Sequence, residues 1–376
     1  MKRHIQIAAL LLSSTLVAVA QSENPRLHRA GNEWVQEVKG TLSAGKMMRV
    51  KSTAGSIRVQ GADQNTVSYT IREHVRAGSE AAARREIEKL HFTALSSGDV
   101  VKLQADCEGS NGGYIDFEVV VPAQTATLKL QTNGGAVTAR NISGKVEATT
   151  GGGNIQLDQI SGPITVASGG GTIEIGKVGN DVQVSTGGGN IRIGSAAGRV
   201  IASSGGGNLN IGAAKVMSLQ TGAGSIKVEK CDGQLKAETG GGSIELSDIE
   251  GPAQIETGGG GIRVGPIRGG VQAETGSGPI VATLAPGKTF TDSRLETSVG
   301  DIVVYVPDGL GVTVRAAVEV ARGQGIISDF PDLKISRPSG YGPRETFAEG
   351  SLNGGGPVLH VHTTTGNIEF RRKSKE

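Results

Sequence analysis

The sequence has few aromatic residues, only two cysteines and little excess charge. Aromatic residues make up 3% of its 376 residues, so a core must be built from Ile, Val, Leu and Ala. A formal net charge of +2 gives no strong field toward nucleic acid or an anionic membrane, which disfavours both as partners. After the first twenty residues, no segment is apolar enough to span a bilayer.

The first twenty residues have the features of a secretory signal peptide. Residues 1–4 (MKRH) are basic, residues 5–17 are mainly apolar, and residues 18–20 (AVA) fit a cleavage site. The prediction is an exported protein of the periplasm, the cell surface or the extracellular space, with no transmembrane segment after cleavage. An uncleaved anchor is the alternative, although the apolar run is shorter than the ~20 residues that a span needs.

Glycine, in contrast, is abundant, and its positions repeat. The chain has 60 glycines without the Gly-X-Y period of collagen. Glycine triplets or near-triplets recur at an interval of 18 residues, with a single interval of 17. They begin at Asn133, Gly151, Gly169, Gly187, Gly205, Gly222, Gly240, Gly258 and Gly276. A period this regular predicts stacked coils rather than a globular core.

Each coil carries two short strands with one apolar face. The fourth and sixth residues after the first glycine are apolar, as in Ile155 and Leu157, and a second alternating pair such as Ile164 and Val166 follows. Stacking places like positions above one another, about 4.8 Å apart, in two parallel sheets across an aliphatic core. The predicted fold is all-β: a parallel β-solenoid with about 18 residues per coil, right-handed as strand-to-parallel-strand connections usually are.

The glycines mark one corner of each coil. Two reasons for glycine are expected there, a positive φ and a close approach of stacked backbones that leaves little room for Cβ. A Thr or Ser, such as Thr150 or Ser168, precedes most triplets. Its hydroxyl is expected to bond either a corner amide or the Ser/Thr of the next coil.

The flanks of the repeat are predicted to cap it, because a bare solenoid end is an open sheet edge that polymerises. Ser79 fits a helix N-cap, and Arg84 and Glu88 fit an i,i+4 pair. The predicted divisions are a signal peptide (1–20), a strand-rich cap with one helix (21–132, helix 79–92), the regular solenoid (133–302), and C-terminal strands with a loop and a basic tail (303–376, loop 328–350).

These features resemble the bacterial adhesin-like β-strand-repeat proteins of domain-of-unknown-function family 4097. The resemblance is carried by the repeated T-G-G-G-x-I, by the strand–helix–strand lead-in that ends at residues 119–122 (VVVP), and by residues 352–357 (LNGGGP) and 365–368 (TGNI). It covers roughly residues 40–372 and implies an exported, non-enzymatic cell-envelope protein. The family brings no established catalytic residues, so none is implied here.

Two cysteines in an exported protein invite a disulfide. Cys231 occupies a coil position that is apolar in other coils, and Cys107 continues the inward alternation of Leu103 and Ala105. Both cysteines are therefore expected to point inward, which favours two separate buried thiols, and a Cys107–Cys231 bridge is the alternative.

Acidic residues recur sixteen positions into successive coils and form a predicted ladder on the outer surface. Like charges stacked at sheet spacing repel each other. One interpretation is a cation site, with Ca²⁺ as the expected metal, or a patch for a basic partner. The other is a solvated row offset by Lys236 and Arg294. The ladder consists of Glu238, Glu256, Glu274 and, after realignment over a longer coil, Glu296.

Three further patterns bear on chemistry. His360 and His362 share one face of a strand, without a visible third metal ligand. The repeats lack the features of Ca²⁺-binding nonapeptides, phosphate loops and Ser/His/Asp sites, so no catalytic residue and no resident cofactor is assigned. A second outward row has mostly alternating signs, which predicts stabilising pairs, at Glu174, Arg192, Lys227, Glu245 and Arg263.

The predicted function is a non-catalytic, exported, adhesin-like structural or interaction module, with an envelope protein or a glycan as partner. A carbohydrate-active β-helix enzyme, a polysaccharide lyase or hydrolase, is one alternative. It would need clustered carboxylates on long loops and aromatic platforms, whereas the repeat from Asn133 to Ala282 has no aromatic residue and almost no insertion. A scaffold that assembles end to end is the other alternative, disfavoured by the helix and the basic tail.

Overall fold

The computed structural model of the chain describes residues 26–287, 290–321, 323–336 and 344–373. The described chain is all-β with one short helix, as predicted. The predicted signal peptide lies outside the described residues. In that part of the chain, no helix combines the length and the hydropathy needed to cross a bilayer.

The elements before the repeat are β1 (Leu27–Ala30), β2 (Glu33–Ser43), β3 (Met47–Ser52), β4 (Ile57–Ala62), β5 (Thr66–Val75), α1 (Glu80–Ile87), β6 (His91–Ser97), β7 (Val100–Asp106) and β8 (Tyr114–Pro122). The elements after it are β29 (Val312–Ala321), β30 (Ile326–Ser328), β31 (Lys334–Ser336), β32 (Arg344–Leu352), β33 (Val358–Thr365) and β34 (Ile368–Arg372).

The repeat itself supplies two strands per coil. They are β9 (Thr127–Thr132), β10 (Val137–Ile142), β11 (Lys145–Thr150), β12 (Ile155–Ile160), β13 (Ile164–Ser168), β14 (Ile173–Val178), β15 (Val182–Thr186), β16 (Ile191–Ala196), β17 (Arg199–Ser204), β18 (Leu209–Ala214), β19 (Val216–Thr221), β20 (Ile226–Cys231), β21 (Leu235–Thr239), β22 (Ile244–Ile249), β23 (Ala253–Thr257), β24 (Ile262–Ile267), β25 (Val271–Ser277), β26 (Ile280–Leu284), β27 (Ser293–Val299) and β28 (Ile302–Val306).

Within the described residues, the strands form two sheets of 17 strands each that face each other. Sheet A contains β10 and the even-numbered strands up to β28, and sheet B contains β9 and the odd-numbered strands up to β27. In the repeat each strand pairs in parallel with its equivalent in the next coil, as β12 does with β14 and β13 with β15. Neither sheet closes on itself, since the pairings run from β1 to β30 in sheet A and from β6 to β31 in sheet B. The predicted parallel β-solenoid is confirmed.

The aliphatic core lies between the sheets and is stacked in register. Ile173 lies beside Ile155 and Ile191 in sheet A, and Val166 lies beside Val184 in sheet B. Each is at most 2% exposed. Burial of such a side chain stabilises the fold by about 1.5–3 kcal/mol, so columns of like residues hold the two sheets together.

At most of these corners, glycine is required by close stacking and not by positive φ. Neither Gly151 nor Gly153 lies in the left-handed region. A Cβ on Gly153 would lie 2.1 Å from the carbonyl oxygen of Gly135 one coil earlier, and a Cβ on Gly151 would lie 2.1 Å from that of Asn133. The expectation of positive φ is therefore wrong for Gly151 and Gly153 but holds for Gly278 in the last triplet, whose φ is 151°, whereas the expected crowding is confirmed.

The middle position of the triplet has room for a side chain. A Cβ on Gly152 would have no heavy atom within 4 Å outside its chain neighbours. Among the later coils, the triplets that depart from three glycines do so at this middle position, as Ala223 and Ser277.

The Thr or Ser before each triplet links two coils. Thr150 Oγ1 donates to the Gly135 carbonyl oxygen at 2.9 Å and accepts from the Gly153 amide at 3.1 Å. Ser168 repeats this arrangement with the Gly153 carbonyl and the Gly171 amide, both at 2.9 Å. The amide partner was predicted. The second partner is a backbone carbonyl of the preceding coil and not a neighbouring hydroxyl.

At both ends the coils stack out of sequence order. β3 and β4 pair with β9 and β10, and the later strands β7 and β8 lie outside them. Likewise, β33 and β34 pair with β27 and β28, while the earlier β29 and β30 lie outside. Antiparallel strands then cover these coils, namely β5, β2, β1 and β6 at one end and β32 and β31 at the other. The parallel stack therefore continues beyond residues 133–302 before it is capped.

Helix α1 is shorter than predicted. Ser79 is its N-cap, as expected, but the helix ends at Ile87, five residues early. The antiparallel pairing of β6 with β7 overrides the helical pattern that follows. The ion pair on its surface joins Arg84 to Glu80 at 2.6 Å and not to Glu88.

The C-terminal region contains more strand than predicted. β31 and β32 pair antiparallel within the segment assigned to a loop, of which residues 337–343 lie outside the described residues. Arg371 and Arg372, assigned to a basic tail, lie in β34. They form ion pairs with Glu369 at 2.9 Å and Asp308 at 3.3 Å, respectively.

The two cysteines are separate buried thiols, as favoured from the sequence. Cys107 follows β7 at the N-terminal end and Cys231 ends β20 in the middle of the stack, and neither forms a disulfide. Burial raises the pKa of both thiols.

The stacking of corner backbones predicts opposite effects of alanine at adjacent glycines. Gly153→Ala should lower the free energy of unfolding by about 1–3 kcal/mol, because its Cβ meets a backbone carbonyl that must move. Gly152→Ala is the matched control and should be neutral or slightly stabilising. Urea unfolding followed by far-ultraviolet circular dichroism measures both, and equal losses in the two variants would contradict the stacking explanation.

Candidate functional site

The outward side of sheet B carries two rows of polar side chains, which we call the ladder face. The first row is Gln220, Glu238, Glu256, Glu274, Glu296 and His362, and the second row is Lys236, Gln254, Gln272, Arg294 and His360. Parallel pairing in register brings each member beside the next, about 4.8 Å away. The four predicted glutamates therefore lie on one line across β21, β23, β25 and β27.

The ends of the acidic row form salt bridges with cations, and its centre does not. Glu238 forms an ion pair with Lys236, and Glu296 lies 3.4 Å from Arg294. Within the described residues, Glu256 and Glu274 form no salt bridge, and both are exposed. In the same part of the chain, no group of three or more His, Cys, Asp or Glu side chains is arranged to hold a metal ion. The Ca²⁺ interpretation stays a prediction, and the structure gives the row the geometry of adjacent like charges.

Removing one of these charges is expected to stabilise the fold. Glu256→Gln should raise the free energy of unfolding by about 0.2–1 kcal/mol at low salt, because it relieves repulsion from Glu238 and Glu274. The gain should shrink in 1 M salt, since exposed charges are screened. Thermal unfolding with and without millimolar Ca²⁺ checks this. A Ca²⁺-dependent rise in the wild-type midpoint that Glu256→Gln abolishes would instead identify a cation site.

The structure brings the two predicted histidines to the end of the same ladder face. His362 lies beside Glu296, and His360 lies beside Arg294, because β33 pairs with β27. His362 Nε2 also lies 3.9 Å from a carboxylate oxygen of Glu319 on β29. From the sequence alone, the glutamates and the histidines were separate features.

A depression of about 410 Å³ opens at this end of the ladder face. Its lining includes Arg315, Phe347 and Glu349, which the sequence analysis did not single out, beside the predicted Glu296 and both histidines. Part of this depression could have been predicted from the sequence. Thr365-Gly366-Asn367-Ile368 repeats the corner pattern, and aligning the two corners sets Glu296 in phase with His362. No comparable signal placed β32, since its pairing with β29 is antiparallel and outside the repeat.

The outward row of sheet A behaves as predicted from its alternating signs. Arg192 lies 3.2 Å from Glu174, and Lys227 lies 3.6 Å from Glu245. All four side chains are about half exposed or more, so these pairs stabilise the ladder only modestly.

A separate polar cluster lies on the antiparallel N-terminal cap. The ring of His74 stacks on Tyr114, with centroids 4.4 Å apart, and lies between Glu33 and Asp116 at 3.4 and 3.5 Å. The Tyr114 hydroxyl donates to Glu33 at 2.9 Å. Burial, together with this bond, raises the pKa of Tyr114 to about 12, and the same bond lowers the pKa of Glu33. The cluster ties β2, β5 and β8 together, and it was not predicted from the sequence.

The raised pKa predicts a loss of stability at alkaline pH. The folded protein holds the Tyr114 proton more tightly than the unfolded chain, so this contribution is complete below pH 10 and is lost as pH rises toward about 12. Tyr114→Phe should flatten the fall in unfolding free energy across this window, and Tyr305→Phe, an exposed tyrosine of β28, should not. Urea titrations at several pH values measure the slopes, and equal slopes for both variants would contradict this role of Tyr114.

Comparison with known proteins assigns no family to this chain. No family model matches the chain, and no curated protein matches it. Among solved structures, the chain is similar to a crystal structure of a Clostridium sporogenes protein provisionally described as a cell adhesion protein, at 8% identity, over 89% of this chain and 99% of that one, with a TM-score of 0.16. A TM-score this low supports no conclusion about function, and membership of family 4097 stays a prediction.

Proposed function

We propose that the chain is a non-catalytic, adhesin-like interaction module of the cell envelope, exported to the periplasm, the cell surface or the extracellular space. The observation that carries this proposal is the ladder face, a continuous array of polar side chains repeated at strand spacing on the outside of sheet B. Such a face suits a long ligand that meets the same groups at each coil.

The short coils favour binding over catalysis. The corners between strands of the repeat are tight, as between β13 and β14, and the longest connection there separates β26 from β27. Enzymes on β-helices need loops that enclose a substrate, and carboxylates that converge on it. The carboxylates of the ladder face lie side by side along the stack instead.

The capped ends disfavour the end-to-end scaffold. The edge strands are β1 and β6 at one end and β30 and β31 at the other, and β1, β30 and β31 are only three or four residues long. Short edge strands and antiparallel covers limit further strand addition.

Binding to cell envelopes tests the proposal. The purified chain is sedimented with envelopes of the organism that encodes it, as wild type and as Glu256→Gln/Glu274→Gln. The bound fraction of this variant should fall several-fold, because its two substitutions lie at the centre of the ladder face. Glu174→Gln/Glu245→Gln on sheet A carries the same charge change and should bind like wild type.

Two outcomes would contradict this function. One is equal sedimentation of wild type and both variants, which would exclude the ladder face as the contact. The other is release of reducing ends or unsaturated uronate from polysaccharide by the wild-type chain, which would favour the enzyme alternative.

A further inference from the structure

A slot crosses the ladder face where its acidic row ends. In register, the row continues from Glu296 to His362, then to Ala317 on β29 and Phe347 on β32. Ala317 has the smallest outward side chain of these and lies between two rings. His362 and Phe347 therefore stand two strand spacings apart, about 10 Å, with Ala317 as the floor between them.

The two walls of the slot are accessible rings. Phe347 is 42% exposed, although it is one of the largest apolar side chains of the chain. The His362 side chain is 41% exposed. An exposed phenyl ring beside a depression of about 410 Å³ offers an apolar surface to a ligand of small-molecule size.

Polar groups of both signs border the slot. Arg315 lies beside His360 and Glu349 in the neighbouring row, and Glu319 lies on the other side of Ala317 along β29. The nearest carboxylate to Arg315 is that of Glu349 at 3.8 Å, too long for a hydrogen bond. The border thus offers guanidinium donors and carboxylate acceptors with no large net charge.

We propose that this slot binds a pyranose ring of a neutral glycan, with the sugar's C–H face on Phe347 and its hydroxyls on Arg315, His362 and the flanking carboxylates. Hydroxyls both donate and accept, so they match a border of mixed sign. The four glutamates of the ladder face are acceptors in line with the slot, and they would repel an acidic polysaccharide. The inference rests on the proposed function and names the ligand class of the same face.

Saturation-transfer NMR on the purified chain tests the slot. The probes are millimolar methyl glucopyranoside, methyl galactopyranoside, methyl mannopyranoside and N-acetylglucosamine, with glucuronate and benzyl alcohol as comparisons. Transfer to ring protons of at least one neutral pyranoside is expected. It should fall at least tenfold in Phe347→Ala, which removes a wall, and in Ala317→Leu, which fills the floor.

Matched controls separate the site from the fold. Ala167→Leu makes the same change far from the slot, on β13, at a position that pairs through Ser185 and Ser203 with Gln220 of the same row. Tyr305→Ala removes an exposed ring from sheet A. Both should keep wild-type transfer. Circular dichroism and the thermal midpoint check that each variant is folded, and an unfolded slot variant is replaced by Phe347→Leu or Ala317→Val.

Three results would overturn the inference. They are no transfer to any neutral pyranoside in wild type, transfer that Ala317→Leu leaves unchanged, and stronger transfer to benzyl alcohol or glucuronate than to the pyranosides. Envelope sedimentation distinguishes the two proposals. Loss of sedimentation in Glu256→Gln/Glu274→Gln with no sugar signal would leave the interaction module standing without this slot, and sugar transfer without sedimentation would do the reverse.

Discussion

The fold depends on how closely one corner backbone can lie on the next. The first and third glycines of each triplet leave about 2 Å between a would-be Cβ and the carbonyl below, as at Gly153 over Gly135. The preceding Thr or Ser then joins the same two layers, as Thr150 does through one carbonyl and one amide. Because this contact sets the offset between coils, it also sets the register of both sheets and of the aliphatic columns between them.

Much of this could be predicted from the sequence, and the exceptions have physical reasons. An 18-residue period predicts the fold class, the inward phase of residues such as Ile155 and Cys231, and the line of Glu238, Glu256 and Glu274, because a strict period converts sequence position into spatial position. Of the two predicted reasons for the corner glycines, crowding was right and positive φ was mostly wrong. Both select glycine, so the sequence alone does not distinguish one reason from the other. The predicted helix ended too late, at residue 92, because the residues of β6 are more stable when they pair with β7 than they would be as a continuation of α1.

The residues of the candidate site were also predictable only where they follow the repeat. Glu238, Glu256 and Glu274 obey the period, and Glu296 follows after one longer coil, so all four were found. Phe347 and Arg315 lie on strands that leave the period and return antiparallel or out of order. The register that stacks the core also stacks surface charge on like charge. Adjacent like charges are locally unfavourable, and local departures of this kind occur at functional sites.

The exchanged coil order at the two ends has a consequence for how the chain folds. A simple repeat stack can grow and fray one unit at a time from either end. Here β33 and β34, the last strands among the described residues, insert between β27–β28 and the earlier β29–β30. A chain that folds from its N-terminal side can add each regular coil in turn, but β29 and β30 lack their parallel partners until β33 and β34 have formed. The C-terminal end therefore assembles as one cooperative unit of β29, β30, β33 and β34, whereas the regular coils can be added singly.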